Sequence, residues 1–135
     1  MTHTEPPFVL IVEDDQNLAK LVRRILERSG LRIKEAWFGK SALKYLEEAH
    51  LPILIILDYR LPDMTGADIL AALGDRIKFI PVVMVTGYSD PAIEKRAREA
   101  GIYDFILKDM NLDFLKTLPI TAREAINSAA SAVSC

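Results

Sequence analysis

The chain predicts an α/β fold, one parallel β-sheet of five strands with helices packed on both faces. Three observations predict it. Short apolar runs alternate with longer stretches of helical period, the pattern of repeated βα units. The most hydrophobic run, Ile53 to Leu57, shows no polar alternation, so both its faces must be covered and it belongs at the sheet centre. The length of 135 residues, half of them apolar, supplies one hydrophobic core and one domain.

The elements follow in order. Phe8 to Val12 reads as the first strand. Leu18, Leu21, Val22, Ile25 and Leu26 then fall at helical spacing, with Asp15 as N-cap and Gly30 placed to end the helix. Leu31 to Ala36 sets Ile33 among charged neighbours, which suits an edge strand. Ala42, Leu43, Leu46 and Ala49 mark a second helix, and Ile53 to Leu57 is the third strand. Turn chemistry in Leu61-Pro62-Asp63-Met64-Thr65-Gly66 precedes a short helix from about Ala67 to Leu73. Pro81 opens a fourth strand, Val82 to Val85, and Asp90-Pro91 starts the next helix with Asp as N-cap and Pro at the first helical position. Tyr103 to Leu107 is the fifth strand. The last helix begins near Asp113, with an interruption expected near Pro119, and runs to about Ala132. Residues 1–7 are expected to be a flexible N-terminal segment, 8–132 the domain and 133–135 a tail.

Composition narrows the function classes. A formal charge of −2 and basic residues interleaved with acidic ones, as in Lys95-Arg96-Ala97-Arg98-Glu99, argue against direct nucleic-acid binding. No run reaches the roughly 18 apolar residues of a membrane span, and the polar, proline-bearing Met1 to Pro7 is no signal peptide. The single cysteine, Cys135, allows no internal disulfide, so a cytoplasmic setting is expected.

In open parallel sheets, ligands bind beyond the carboxyl ends of the strands. Glu13, Asp14 and Asp15 follow the first strand, Asp58 the third, Thr86 and Gly87 the fourth, and Lys108 the fifth. Two carboxylates about 5 Å apart repel by roughly 3 kcal/mol at an effective dielectric near 20. A fold that gathers three needs a cation, and hard oxygen donors select magnesium, with manganese as an alternative. An ion there would neutralise an incoming phosphoryl group and leave Asp58 free to attack phosphorus, a role carboxylates do fill. Lys108 and the Thr86 hydroxyl would bind the remaining phosphoryl oxygens.

Val12-Glu13-Asp14-Asp15, Asp58 with Leu61-Pro62-Asp63-Met64-Thr65-Gly66 behind it, Val85-Thr86-Gly87 and Phe105-Ile106-Leu107-Lys108 together resemble the receiver domain of two-component response regulators. The resemblance runs from about Phe8 to Lys108. Thr86 lies 28 positions beyond Asp58, and Lys108 lies 22 beyond Thr86, both usual for that family.

The resemblance implies a flavodoxin-like three-layer sandwich with strand order 2-1-3-4-5 and five helices. It implies that Asp58 accepts a phosphoryl group from a histidine kinase or phosphotransfer protein. Asp14, Asp58 and the main-chain carbonyl of Arg60 would ligate magnesium, with Glu13 reaching it through water. Thr86 would swing toward the phosphoryl group, Lys108 would pair with it, and Phe105 would rotate inward as the coupled switch. The face of the fourth helix, fifth strand and fifth helix would be read by a downstream effector, or by a second copy in a homodimer. Such a domain catalyses its own phosphorylation and dephosphorylation and turns over no separate substrate. Arg60 and Tyr88, two residues beyond Asp58 and Thr86, would flank the path of the hydrolytic water and slow loss of the phosphoryl group.

One departure stands out. Where the family usually has proline after the lysine, this chain has Asp109, which predicts a trans bond and a carboxylate positioned to weaken the pull of Lys108 on phosphate. It also keeps open an alternative, a pseudo-receiver that works as an interaction module without phosphorylation. Two other classes fit less well. A dehalogenase-like phosphatase wants a second aspartate where Arg60 stands, and a flavodoxin-like cofactor binder wants a Ser/Thr/Gly-rich loop where Glu13-Asp14-Asp15 stands.

Overall fold

The computed structural model describes residues 6–87 and 90–134, with side chains through residue 130. Five parallel strands, β1 (Val9–Val12), β2 (Ile33–Ala36), β3 (Leu54–Leu57), β4 (Val82–Thr86) and β5 (Asp104–Leu107), form one sheet in the order β2-β1-β3-β4-β5. The expected edge position of the second strand and central position of the third both hold. Helices α1 (Gln16–Arg28), α2 (Gly39–Glu47), α3 (Gly66–Leu73), α4 (Pro91–Ala100) and α5 (Phe114–Ser134) cover the faces.

Period-two alternation divides the core between the two faces. Leu10, Val12, Ile55, Leu57, Val82 and Met84 point to one side, where Ala42 and Leu46 of α2, Ile69 and Leu73 of α3 and Ala97 of α4 cover them. Val9, Ile11, Leu54, Ile56, Val83 and Val85 point to the other, under Ala19, Val22 and Leu26 of α1 and Leu118, Ala122 and Ala125 of α5. Every residue of β1, β3 and β4 is buried, which is why those runs carry no polar alternation in the sequence.

Local signals set the helix ends. The Asp15 carboxylate accepts from the amides of Asn17 and Leu18, and Asp90 accepts from Ala92 with Pro91 in the first turn. Gly30, at φ 86°, follows the end of α1 in a left-handed conformation that a side chain would strain.

Three elements differ from expectation, the first being α2, which ends at Glu47 and leaves Ala49 outside the helix. α5 is continuous through Pro119. The proline lies near the amino end of the helix and removes one backbone donor, while Leu118 and Ala122 on either side are fully buried, so packing against the sheet carries the helix past it. A single 3-10 turn, Gly74–Lys78, extends α3 where no element was foreseen. Arg76 holds it, donating to the carbonyls of Leu46 (2.9 Å) and Ala72 (2.9 Å) at the ends of α2 and α3. Among the described residues, no helix is long and apolar enough to cross a membrane.

Candidate functional site at the carboxyl edge of the sheet

Ladder register brings the site residues to one level. Val12 pairs with Ala36 on one side and Leu57 on the other, so Glu13 and Asp58 leave the sheet side by side. Their amides form its last rungs, Glu13 donating to the Ala36 carbonyl at 3.0 Å and Asp58 to that of Val12 at 3.0 Å. Lys108 leaves β5 in the same way, its amide donating to the Thr86 carbonyl at 2.9 Å. Three site residues therefore take their direction from hydrogen bonds of the central sheet.

The side chains then converge. Lys108 Nζ donates to Glu13 Oε1 at 2.5 Å and to Asp58 Oδ2 at 2.9 Å. Carboxylate oxygens of Glu13, Asp14 and Asp58 lie within 4.8 Å of one another. Glu13, Asp58 and Thr86 are buried, and Asp14 is exposed at the lip. An open depression of about 330 Å³ is lined by Asp14, Asp58, Arg60, Thr86 and Gly87. The structure thus brings together Glu13, Asp14, Asp58, Arg60, Thr86 and Lys108. Tyr88 lies outside the described residues.

Burial and charge set the protonation behaviour. Burial pushes the Glu13 carboxyl up to about 7; the Lys108 hydrogen bond opposes this and the Asp58 charge adds to it. Burial alone would lower the Lys108 ammonium, but the Glu13 hydrogen bond and the charges of Asp58 and Glu13 outweigh it and leave the pKa above its ordinary value. Lys108 is therefore a fixed positive charge among three carboxylates. One ammonium leaves the cluster with surplus negative charge, which a hard divalent cation would balance.

The turn after β3 shapes the near wall. Leu61 donates its amide to the Met64 carbonyl at 3.1 Å, and Arg60 and Thr65 form an antiparallel bridge. Gly66 then donates to the Tyr59 carbonyl at 2.6 Å. A Cβ on Gly66 would sit 2.9 Å from the Asp58 carbonyl oxygen, so only glycine permits this approach to the Asp58 backbone.

Two further acidic residues have roles that sequence reasoning missed. Asp63 accepts from the amides of Gly39 (2.7 Å) and Lys40 (2.9 Å) and so caps α2 from 23 and 24 positions away. A sequence signal existed, because Phe38 at the start of that helix offers no capping oxygen. Asp109 accepts from the amides of Asp113 at 3.1 Å and Phe114 at 3.0 Å, and the peptide bonds of the described residues are all trans. Its carboxylate faces the start of α5, which differs from the expected opposition to Lys108. Both acids are held below the usual carboxylate range, Asp63 chiefly by the Lys40 amide and Asp109 chiefly by that of Phe114.

Phe105 is half-buried against the cluster that α2, α3 and α4 cover. Beside it lies a cavity of about 180 Å³ lined by Asp90, Pro91, Glu94, Phe105 and Leu107. Leu107 at the end of β5 and Tyr103 just before its start are exposed.

Comparison with known proteins gives the class. Residues 9–118 match the family model of the response regulator receiver domain, and the chain belongs to that family. It is 37% identical over 123 residues to the methanogenesis regulatory protein FilR1 of Methanothrix harundinacea, an alignment covering 87% of this chain and 27% of FilR1. It is 34% identical over 116 residues to the polar-differentiation response regulator DivK of Brucella anthropi, covering 84% of this chain and 94% of DivK. The chain therefore spans about a quarter of FilR1 and nearly all of DivK. A CheY-like receiver domain from Methanospirillum hungatei superposes with a TM-score of 0.83 at 26% identity, over 94% of this chain and 98% of that one. The sheet order and helix count match that fold.

Proposed function

We propose that this receiver domain takes a phosphoryl group onto Asp58 from the phosphohistidine of a histidine kinase or phosphotransfer protein, and that the acyl phosphate switches the face formed by α4, β5 and α5. The observation that carries this reading is the contact of Lys108 Nζ with Asp58 Oδ2 at 2.9 Å inside an acidic cluster. Asp14 and Asp58, with the Arg60 main-chain carbonyl and with Glu13 through water, would hold magnesium; manganese takes the same oxygen donors. Bound there, the ion would supply positive charge that neutralises the transferred phosphoryl group.

The chain's own residues do the rest. An Asp58 oxygen attacks phosphorus, and the phosphorus–nitrogen bond of the donor breaks. Its electron pair stays on the imidazole nitrogen, which takes a proton. Lys108, positively charged and largely buried, pairs with the phosphoryl oxygens in place of the free carboxylate. The Thr86 hydroxyl, one strand over, donates to another of those oxygens. Phe105 then moves into space opened by Thr86, and the exposed Tyr103 and Leu107 change their setting on the output face. Water later attacks phosphorus, releases phosphate and restores the carboxylate. Arg60 and Tyr88, two positions beyond Asp58 and Thr86 in the sequence, slow that step.

The pseudo-receiver reading is not favoured. It rested on Asp109, whose carboxylate is engaged by the start of α5. Incubation with phosphoramidate, a phosphorus–nitrogen donor, tests the proposal by intact mass. Gain of one phosphoryl group that requires magnesium and fails in Asp58→Asn is the expected result. A wild-type chain of unchanged mass would sink it.

A further inference from the structure

We propose that Asp109 is the positioning residue of this site, fixing the chain that leaves Lys108 and so holding the ammonium over Asp58. The inference rests on the phosphoacceptor reading for its consequence, though not for its geometry.

Lys108 is anchored on one side only by the sheet. Its amide donates to the Thr86 carbonyl, the last rung between β4 and β5, and past that point no strand pairing is present among the described residues. It must turn and enter α5 within six residues. The turn is demanding, because Leu112 adopts φ 60°, a left-handed conformation uncommon for a side chain of its size. The first amides of α5 also need acceptors, as at any helix start.

Asp109 meets both needs at once. Its Oδ2 accepts from Asp113 N and its Oδ1 from Phe114 N, while its own carbonyl accepts from Leu112 N at 3.1 Å. Three hydrogen bonds thus tie the residue next to Lys108 to Leu112 and Asp113 of the turn and to Phe114, the first residue of a helix that Phe114, Leu115 and Leu118 bury against the sheet. Lys108 is held between two fixed points, the rung at its own amide and the knot at Asp109. The carboxylate charge is spent on backbone dipoles at a helix start, where negative charge is favoured. It does not compete with Glu13 and Asp58 for the ammonium.

The consequence is kinetic. A positioning group displaced by about 1 Å can cost on the order of a hundredfold in rate. Asp109→Ala removes both acceptors, whereas Asp109→Asn keeps an oxygen for one amide and should restore most of what Ala loses. Two measurements decide the matter. Side-chain relaxation of Lys108 by NMR, in the unphosphorylated protein, reads positioning without phosphorylation. It should show an ordered ammonium in wild type, a mobile one in Asp109→Ala and recovery in Asp109→Asn. The rate of phosphorylation by acetyl phosphate should fall roughly tenfold or more in Asp109→Ala and recover in Asp109→Asn. Should wild type take no phosphoryl group, the function proposed above fails while Lys108 relaxation still tests Asp109. An Asp109→Ala protein that melts lower yet keeps Lys108 ordered would reduce Asp109 to a helix cap and overturn the inference.

Discussion

Removing one charge from the lip of the site should stabilise the metal-free protein and abolish its response to magnesium. The charge to remove is Asp14, because Lys108 hydrogen-bonds Glu13 and Asp58. Its carboxylate oxygen lies within 4.8 Å of those of Glu13 and Asp58. Coulomb's law gives each such pair roughly 3.5 kcal/mol at an effective dielectric near 20 and roughly 0.9 kcal/mol in bulk water. Asp14 is exposed, so its two repulsions fall toward the lower figure, and the Lys108 ammonium seated on Glu13 and Asp58 offsets one of them, which leaves about 1 kcal/mol. We predict that Asp14→Asn raises the unfolding free energy by about that amount in EDTA at mildly alkaline pH. Wild type should gain about 2.7 kcal/mol when magnesium is at 100 times its dissociation constant, and the variant should gain almost nothing. Urea denaturation with and without magnesium measures both, the slope staying constant if only stability changes. A variant less stable than wild type in EDTA, or one that keeps the full magnesium gain, would refute the reasoning.

Other predictions follow from the same geometry. Burial raises Glu13 from 4.5 to about 7, so its contribution to metal-free stability is fully present below pH 4.5 and is lost as pH rises through about 7. The loss is about 3 kcal/mol as an order of magnitude, and Glu13→Gln should remove that pH dependence from urea midpoints; identical profiles would contradict it. Gly66→Ala forces a Cβ to within 2.9 Å of the Asp58 carbonyl oxygen, so it should destabilise by about 1–3 kcal/mol and slow phosphorylation by acetyl phosphate. A variant with wild-type stability and rate would show that the turn has more room than the geometry allows. Asp63→Ala should cut hydrogen-exchange protection at the amides of Gly39 and Lys40, with unchanged protection counting against the cap. Arg60→Ala/Tyr88→Ala should hasten decay of phospho-Asp58, and equal decay rates would remove those residues from the hydrolytic path.

What the sequence revealed and what it hid divide along range. Asp15, Asp90 and Gly30 act on amides or dihedrals within a few residues, so their roles could be read directly. The central place of β3 was legible because burial on both faces leaves a continuous apolar run. Convergence of Glu13, Asp58 and Lys108 followed from strand-end placement alone. The partner of each oxygen did not, since Lys108 and Glu13 are 95 positions apart and nothing local fixes that contact. Asp63 and Asp109 were hidden for a related reason. Each looks like a loop acid until the helix start that it serves is seen beside it. Pro119 misled because a local rule about proline was outweighed by burial of its neighbours.

The central claim is that Asp58, held by Lys108 within a cation-demanding cluster, carries phosphorus. Treatment with acetyl phosphate and magnesium, borohydride trapping of the acyl phosphate and peptide mapping address it most directly. The predicted outcome is modification confined to the peptide containing Asp58, and none when magnesium is chelated. Modification at another residue, or an Asp58 peptide unaltered under conditions that keep the protein folded, would contradict it.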